Sequence, residues 1–141
     1  MKTLIVEDDF TSRTLLHELL QGYGPCHIAV NGKEAVKAVA AALQEHQPYD
    51  LICLDILMPE MDGQQALERI RADEEARGIS SANSVKIVMT TALPDPKNVD
   101  KAFYNLCDAY LVKPIDRDQL VKTLQKLHLV EPTRGRSDPR L

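Results

Sequence analysis

Short apolar runs alternate along this chain with stretches whose apolar residues recur every three or four positions. Four of the short runs end in polar clusters. Thr3-Leu4-Ile5-Val6 runs into Glu7-Asp8-Asp9, and Leu51-Ile52-Cys53-Leu54 into Asp55. Val85-Lys86-Ile87-Val88-Met89 runs into Thr90-Thr91, and Ala109-Tyr110-Leu111-Val112 into Lys113-Pro114. A further run, Cys26-His27-Ile28-Ala29-Val30, closes at Asn31-Gly32. Such runs, rich in β-formers and bounded by turn residues, read as strands. Between and after them lie helical faces: Leu15, Leu16, Leu19 and Leu20; Ala35, Val36, Val39, Ala40 and Leu43; Ala66, Leu67 and Ile70. A fourth face carries Val99, Ala102, Phe103 and Leu106, and a fifth Leu120, Val121, Leu124 and Leu127. Gly22 and Gly24-Pro25 end the first helix, and Asp62-Gly63 precedes the third.

Five strand–helix units predict an α/β fold: a parallel five-stranded sheet, doubly wound, with helices on both faces. Right-handed crossovers leave few topologies. The order 2-1-3-4-5, common among doubly wound sheets, fits because the short second strand then lies at an edge. It sets strands one and three side by side at the switch point. Ligands of such sheets bind beyond the carboxyl ends of the strands, which is where the four polar clusters fall. Residues 73–84 are polar and extend the third helix before a loop. One domain over 1–128 is expected, followed by a flexible tail over 129–141 with Pro132, Gly135, Pro139 and three arginines (Arg134, Arg136, Arg140).

The 141 residues are enough for one domain with a real core. No apolar run approaches the roughly 20 residues that span a bilayer, and Met1-Lys2-Thr3-Leu4 does not open a signal peptide. A cytoplasmic location without membrane contact is the expectation. A net charge of −4 with scattered Lys and Arg argues against direct nucleic-acid binding. Cys26, Cys53 and Cys107 are far apart and odd in number, which favours free thiols. The four histidines (His17, His27, His46, His128) form no ligand spacing.

If strands one and three are neighbours, Glu7, Asp8, Asp9 and Asp55 crowd together. Like charges about 4 Å apart repel by roughly 1 kcal/mol even in water. Mg²⁺ offsets this with hard oxygen ligands and retained waters, and it usually adds phosphate oxygens. For Asp9 alone, capping of the first helix (a role open also to Thr11) is the better reading; for Asp8 with Asp55, the metal is. A carboxylate can also accept a phosphoryl group as nucleophile. Thr91 can donate a hydroxyl hydrogen bond to a phosphoryl oxygen, and Lys113 can supply a point charge.

Leu4-Ile5-Val6-Glu7-Asp8-Asp9, Asp55-Ile56-Leu57-Met58-Pro59-Glu60-Met61-Asp62-Gly63, Thr91-Ala92 and Lys113-Pro114 together resemble the receiver domain of two-component response regulators, over about residues 1–128. The resemblance implies a flavodoxin-like (βα)5 fold, with Asp55 as phosphoacceptor and Mg²⁺ as cofactor. It makes Asp8 a direct metal ligand, Glu7 a ligand through water and Leu57 a ligand by its backbone carbonyl. Thr91 and Lys113 would bind the phosphoryl group, and Tyr110 matches the aromatic switch position. The donor would be a phosphohistidine on a sensor histidine kinase or phosphotransfer protein, or a small phosphodonor. The implied output is a changed protein-interaction surface on the fourth helix, fifth strand and fifth helix, read by a target the sequence does not identify. By the same analogy Lys113-Pro114 takes the cis form. Thr91 rather than Thr90 is the matching threonine because Ala92 follows it and Lys113 lies 22 residues on; Thr90 points the other way along the strand.

Leu57 and Leu93 stand two residues after Asp55 and Thr91, where receiver side chains flank the path of hydrolytic water. Two apolar groups there predict slow self-dephosphorylation; packing on the loop alone is the alternative. The expected protein is a stand-alone receiver, acting as a terminal switch or as a phosphorelay intermediate. It is not an enzyme on a free substrate, since Asp55 is consumed and regenerated. A phosphorylation-independent interaction module is a further reading. A phosphatase using an Asp nucleophile would want a second acid where Leu57 stands. A flavin or nucleotide binder would want a Gly-rich loop where Glu7-Asp8-Asp9-Phe10 stands.

Overall fold

The computed structural model describes residues 1–58, 61–92 and 106–131. Five strands form one sheet: β1 (Thr3–Val6), β2 (Cys26–Ala29), β3 (Leu51–Asp55), β4 (Lys86–Thr91) and β5 (Ala109–Val112). Four described helices accompany them: α1 (Phe10–Leu20), α2 (Gly32–Gln44), α3 (Gly63–Ala76) and α4 (Arg117–Lys126). The sheet order is β2-β1-β3-β4-β5, the order common among doubly wound sheets, and all four pairings are parallel, as the alternation predicts. The fourth helical face (99–106) lies outside the described residues except for Leu106, as does most of the tail (132–141).

Alternation of side chains along each strand divides the core in two. Leu4, Val6, Ile52, Leu54, Ile87 and Met89 meet Ala35 and Val39 of α2 and Ala66, Leu67 and Ile70 of α3. On the other face Ile5, Leu51, Cys53, Val88 and Leu111 meet Leu16 and Leu20 of α1 and Leu120 and Leu124 of α4. Each of these larger side chains contributes about 1.5–3 kcal/mol by leaving water. Both faces are covered, which is why β1 and β3 read as unbroken apolar runs. Cys53 is core, and burial pushes its thiol up to about 12.

Two boundaries shift from expectation. β4 starts at Lys86 rather than Val85 and takes in Thr90 and Thr91, which pair with Leu111 and Val112 of β5. β2 stops at Ala29, since the Val30 N–H turns to the Glu34 side chain at the start of α2 (3.0 Å). Sequence periodicity gave no sign of a polar clamp under the sheet. Arg71 of α3 donates to the carbonyls of Leu106 (2.8 Å) and Val85 (2.8 Å), to Glu74 (2.8 Å) and to Asp108 (2.9 Å). Glu74 is buried, yet its other oxygen accepts from the Val85 N–H (2.9 Å), so the charge is fully partnered.

Candidate functional site

β1 and β3 are direct neighbours, with Val6 beside Leu54, so Glu7 and Asp55 leave the sheet side by side. Glu7 is 0% and Asp55 5% exposed, whereas Asp8 is open to solvent. Carboxylate oxygens of Glu7, Asp8 and Asp55 lie within 4.8 Å of one another. Asp9 stands apart from this group: it caps α1, its carboxylate accepting from the Ser12 N–H (2.9 Å), which holds its acid below the usual range.

Lys113 arrives from the end of β5. Its N–H donates to the Thr91 carbonyl (2.6 Å), continuing the β4–β5 ladder by one residue. Its ammonium donates to Glu7 Oε1 and stands 3.4 Å from Asp55 Oδ1. The Lys113-Pro114 bond is cis. Thr91 is buried on the face that carries Met89, and Met89 is the register partner of Tyr110. Thr90 is the register partner of Asp55 and belongs to the opposite face with Val88 and Leu111. Its hydroxyl is buried with no hydrogen-bond partner among the described residues.

Electrostatics follow from this placement. Burial, then the hydrogen bond and charge of Glu7, push the Asp55 carboxyl up to about 7; Lys113 opposes the shift and loses. For Lys113 itself, burial favours the neutral amine, but the Glu7 bond and the charges of Asp55 and Glu7 outweigh it and the pKa is raised. Two buried acids sharing one ammonium are one positive charge short. The donors are all carboxylate oxygens, and a hard divalent cation of the size of Mg²⁺ suits them.

The β3–α3 loop frames the site. The Ile56 N–H donates to the Thr90 carbonyl (3.0 Å), and the Gly63 N–H to the Ile56 carbonyl (2.8 Å). Gly63 is required by close approach, since a Cβ there would stand 2.1 Å from the Asp55 carbonyl oxygen. Asp62 caps α3 reciprocally with Gln65. Leu57 projects from the loop, 60% exposed, and Phe10 is exposed at the start of α1. Pro59, Glu60 and Leu93 lie outside the described residues.

The structure thus brings together Glu7, Asp8, Asp55 and Lys113, with Thr91 one strand away and Tyr110 behind Met89. The direct Lys113–Glu7 pair was missed in the sequence, where no spacing signals a contact 106 residues apart. Parallel order and a carboxyl edge that carries three acids and Lys113 define a doubly wound α/β protein with an acidic strand-end site. The chain belongs to the response regulator receiver domain family, whose model matches residues 3–125. It is 38% identical over 125 residues to the sensor protein GacS of Pseudomonas syringae, covering 89% of this chain but 13% of that protein. The chain spans a quarter or less of the length of the first curated relatives it matches. Among solved structures, it is similar to the receiver domain of the Pseudomonas aeruginosa sensor histidine kinase PA1611, which has magnesium in its active-site cleft. That match has a TM-score of 0.69 and 29% identity, over 89% of this chain and 94% of that one. A co-crystal structure of the Saccharomyces cerevisiae histidine phosphotransfer protein Ypd1 with the Ssk1 receiver domain matches with a TM-score of 0.74 and 29% identity, over 89% and 87% of the chains. Among the described residues, no helix is long and apolar enough to cross a membrane.

Proposed function

We propose that this receiver domain of two-component signalling accepts a phosphoryl group on Asp55, with Mg²⁺ held by Glu7, Asp8, Asp55 and the Leu57 carbonyl. The observation that carries the reading is the cluster of three carboxylates within 4.8 Å, served among the described residues by the Lys113 ammonium, which reaches Glu7 and Asp55. When bound, the cation would offset the charge of the acids and of the incoming phosphoryl oxygens. The magnesium in the cleft of the PA1611 receiver supports that choice of ion.

An Asp55 oxygen attacks phosphorus as the phosphorus–nitrogen bond of a donor phosphohistidine breaks, and the imidazole leaves with its electron pair. The complex of Ypd1 with the Ssk1 receiver supports a histidine kinase or phosphotransfer protein as donor; a small acyl phosphate can substitute. Lys113 turns from Glu7 and Asp55 toward a phosphoryl oxygen, and the Thr91 hydroxyl donates to another. Asp55 is regenerated by hydrolysis, so no free substrate is turned over. Leu57, apolar and exposed at the mouth, offers attacking water no polar partner, and a long phosphoryl lifetime follows. The reading places the chain in the cytoplasm.

The output is a population shift, driven only as far as the phosphoryl group binds one conformation better. Movement of Thr91 frees space for Tyr110, and the surface of β5 and α4 changes for a protein partner. Tyr110→Ala should keep phosphoryl capture but blunt the change in amide exchange on α4 that beryllofluoride induces.

The test is intact mass after incubation with acetyl phosphate, with and without Mg²⁺, beside Asp55→Asn. One phosphoryl group is expected on the wild type, with Mg²⁺ only, and none on the variant. Equal labelling of the two proteins would overturn the assignment of Asp55. No labelling, and no beryllofluoride binding either, would favour a phosphorylation-independent module.

A further inference from the structure

The loop between Asp55 and α3 is fastened to α2, an element that carries none of the site's side chains. The Gly32 N–H donates to the Met61 carbonyl (3.1 Å). Gly32 is the first residue of α2, where glycine weakens a helix by up to about 1 kcal/mol relative to alanine. Space explains its presence. A Cβ at position 32 would stand 2.4 Å from the Met61 carbonyl oxygen and 2.9 Å from Met61 Cβ and Cγ. The nearest of these atoms is backbone, so no rotamer change at Met61 relieves the contact. Met61 in turn leads into Asp62, locked by its capping box, and Gly63 seals the loop on Ile56 (2.8 Å). Two described carbonyls of the loop are therefore held, Ile56 by the Gly63 N–H and Met61 by the Gly32 N–H.

We propose that Gly32 is a positioning residue for the phosphoacceptor loop. By lacking a side chain it lets the loop settle against α2, and this sets where the Leu57 carbonyl and the Asp55 carboxylate point. The inference rests on the reading of Glu7, Asp8, Asp55 and Leu57 as a Mg²⁺ site. Mg²⁺ demands near-octahedral ligands at about 2.0–2.1 Å, so a loop displaced at Met61 loses affinity at Leu57. Replacement of groups that orient ligands typically weakens metal binding by about 10–100-fold.

The experiment is a calorimetric Mg²⁺ titration of the full chain as wild type, Gly32→Ala and Gly22→Ala, with thermal melts alongside. Gly22 is the control, since a Cβ there meets nothing within 4 Å. The Gly32 variant should bind Mg²⁺ about tenfold more weakly at a temperature where it is fully folded, and the Gly22 variant should bind as wild type does. A lower melting temperature with unchanged Mg²⁺ affinity would mean a merely structural glycine and overturn the proposal. A wild type that takes up no Mg²⁺ would sink the metal-site reading and this inference with it. Should Gly32→Ala not fold, amide exchange of the wild type decides. Linkage is reciprocal, so Mg²⁺ should slow exchange at the Gly32 N–H. Exchange there that is indifferent to Mg²⁺ would overturn the proposal.

Discussion

Lys113 and Glu7 are separated by 106 residues, yet the Lys113 ammonium donates to a Glu7 carboxylate that is wholly buried. The same ammonium stands 3.4 Å from Asp55. Among the described residues one lysine therefore balances two acids, and on the proposed reading it is the group that changes partners for a phosphoryl oxygen.

Removal of that lysine strands a buried negative charge. Breaking a buried pair costs about 3–5 kcal/mol; with the Lys113 side chain 16% exposed, Lys113→Gln should cost roughly 2–3 kcal/mol in urea titration without metal. Added Mg²⁺ should restore part of the loss. A shift below about 1 kcal/mol would mean that the Lys113–Glu7 pair adds little net stability to the fold.

Asp55 holds its proton more tightly in the folded protein, its carboxyl pushed up to about 7 from an ordinary 3.8. The stability linked to that proton is fully present below about 3.8 and is lost as pH rises through about 7. In EDTA, Asp55→Asn should melt higher than wild type, with the gap widening from about pH 4 to pH 7 and level above that. Melts across this range check it, and a constant gap would mean that Asp55 titrates at its ordinary value.

Thr90 and Thr91 should separate cleanly. Thr90→Val removes a buried hydroxyl that has no partner among the described residues, so stability should be unchanged or rise by about 1 kcal/mol. Phosphoryl capture should persist. Thr91→Ala should slow capture from acetyl phosphate by about tenfold or more, as loss of a donor to a charged transition state does. The same loss of capture in both variants would refute the assignment.

Leu57→Asn combined with Leu93→Glu tests the expectation, drawn from the receiver resemblance, that apolar residues at these two positions slow hydrolysis; Leu93 lies outside the described residues. The aspartyl-phosphate should then hydrolyse roughly tenfold faster or more, followed by loss of phosphoprotein mass over time. An unchanged lifetime would mean that Leu57 only packs on its loop.

Much of the fold was legible in the sequence. β1 and β5 run over the residues that their apolar runs mark, and Leu16 and Leu20 or Leu120 and Leu124 meet the core as a period of 3.6 requires. Asp9 behaves as a cap because capping is local chemistry, settled within three residues. The strand-end acids were legible for a similar reason: a parallel sheet sends every carboxyl end to one edge.

What the sequence could not contain is the outcome of long-range packing. Whether Lys113 pairs with Glu7 or with Asp55 depends on where β5 ends relative to β1, with two strands between. Arg71 reaches Val85, Leu106 and Asp108 only because α3 crosses beneath β4 and β5. Gly32 looks like an ordinary turn glycine until Met61 is brought against it. Periodicity and capping are short-range and are written in adjacent residues. The division of one ammonium between two buried acids, and the fit of a loop against a helix start, arise only when distant segments share a space too small for an extra Cβ or an unpaired charge.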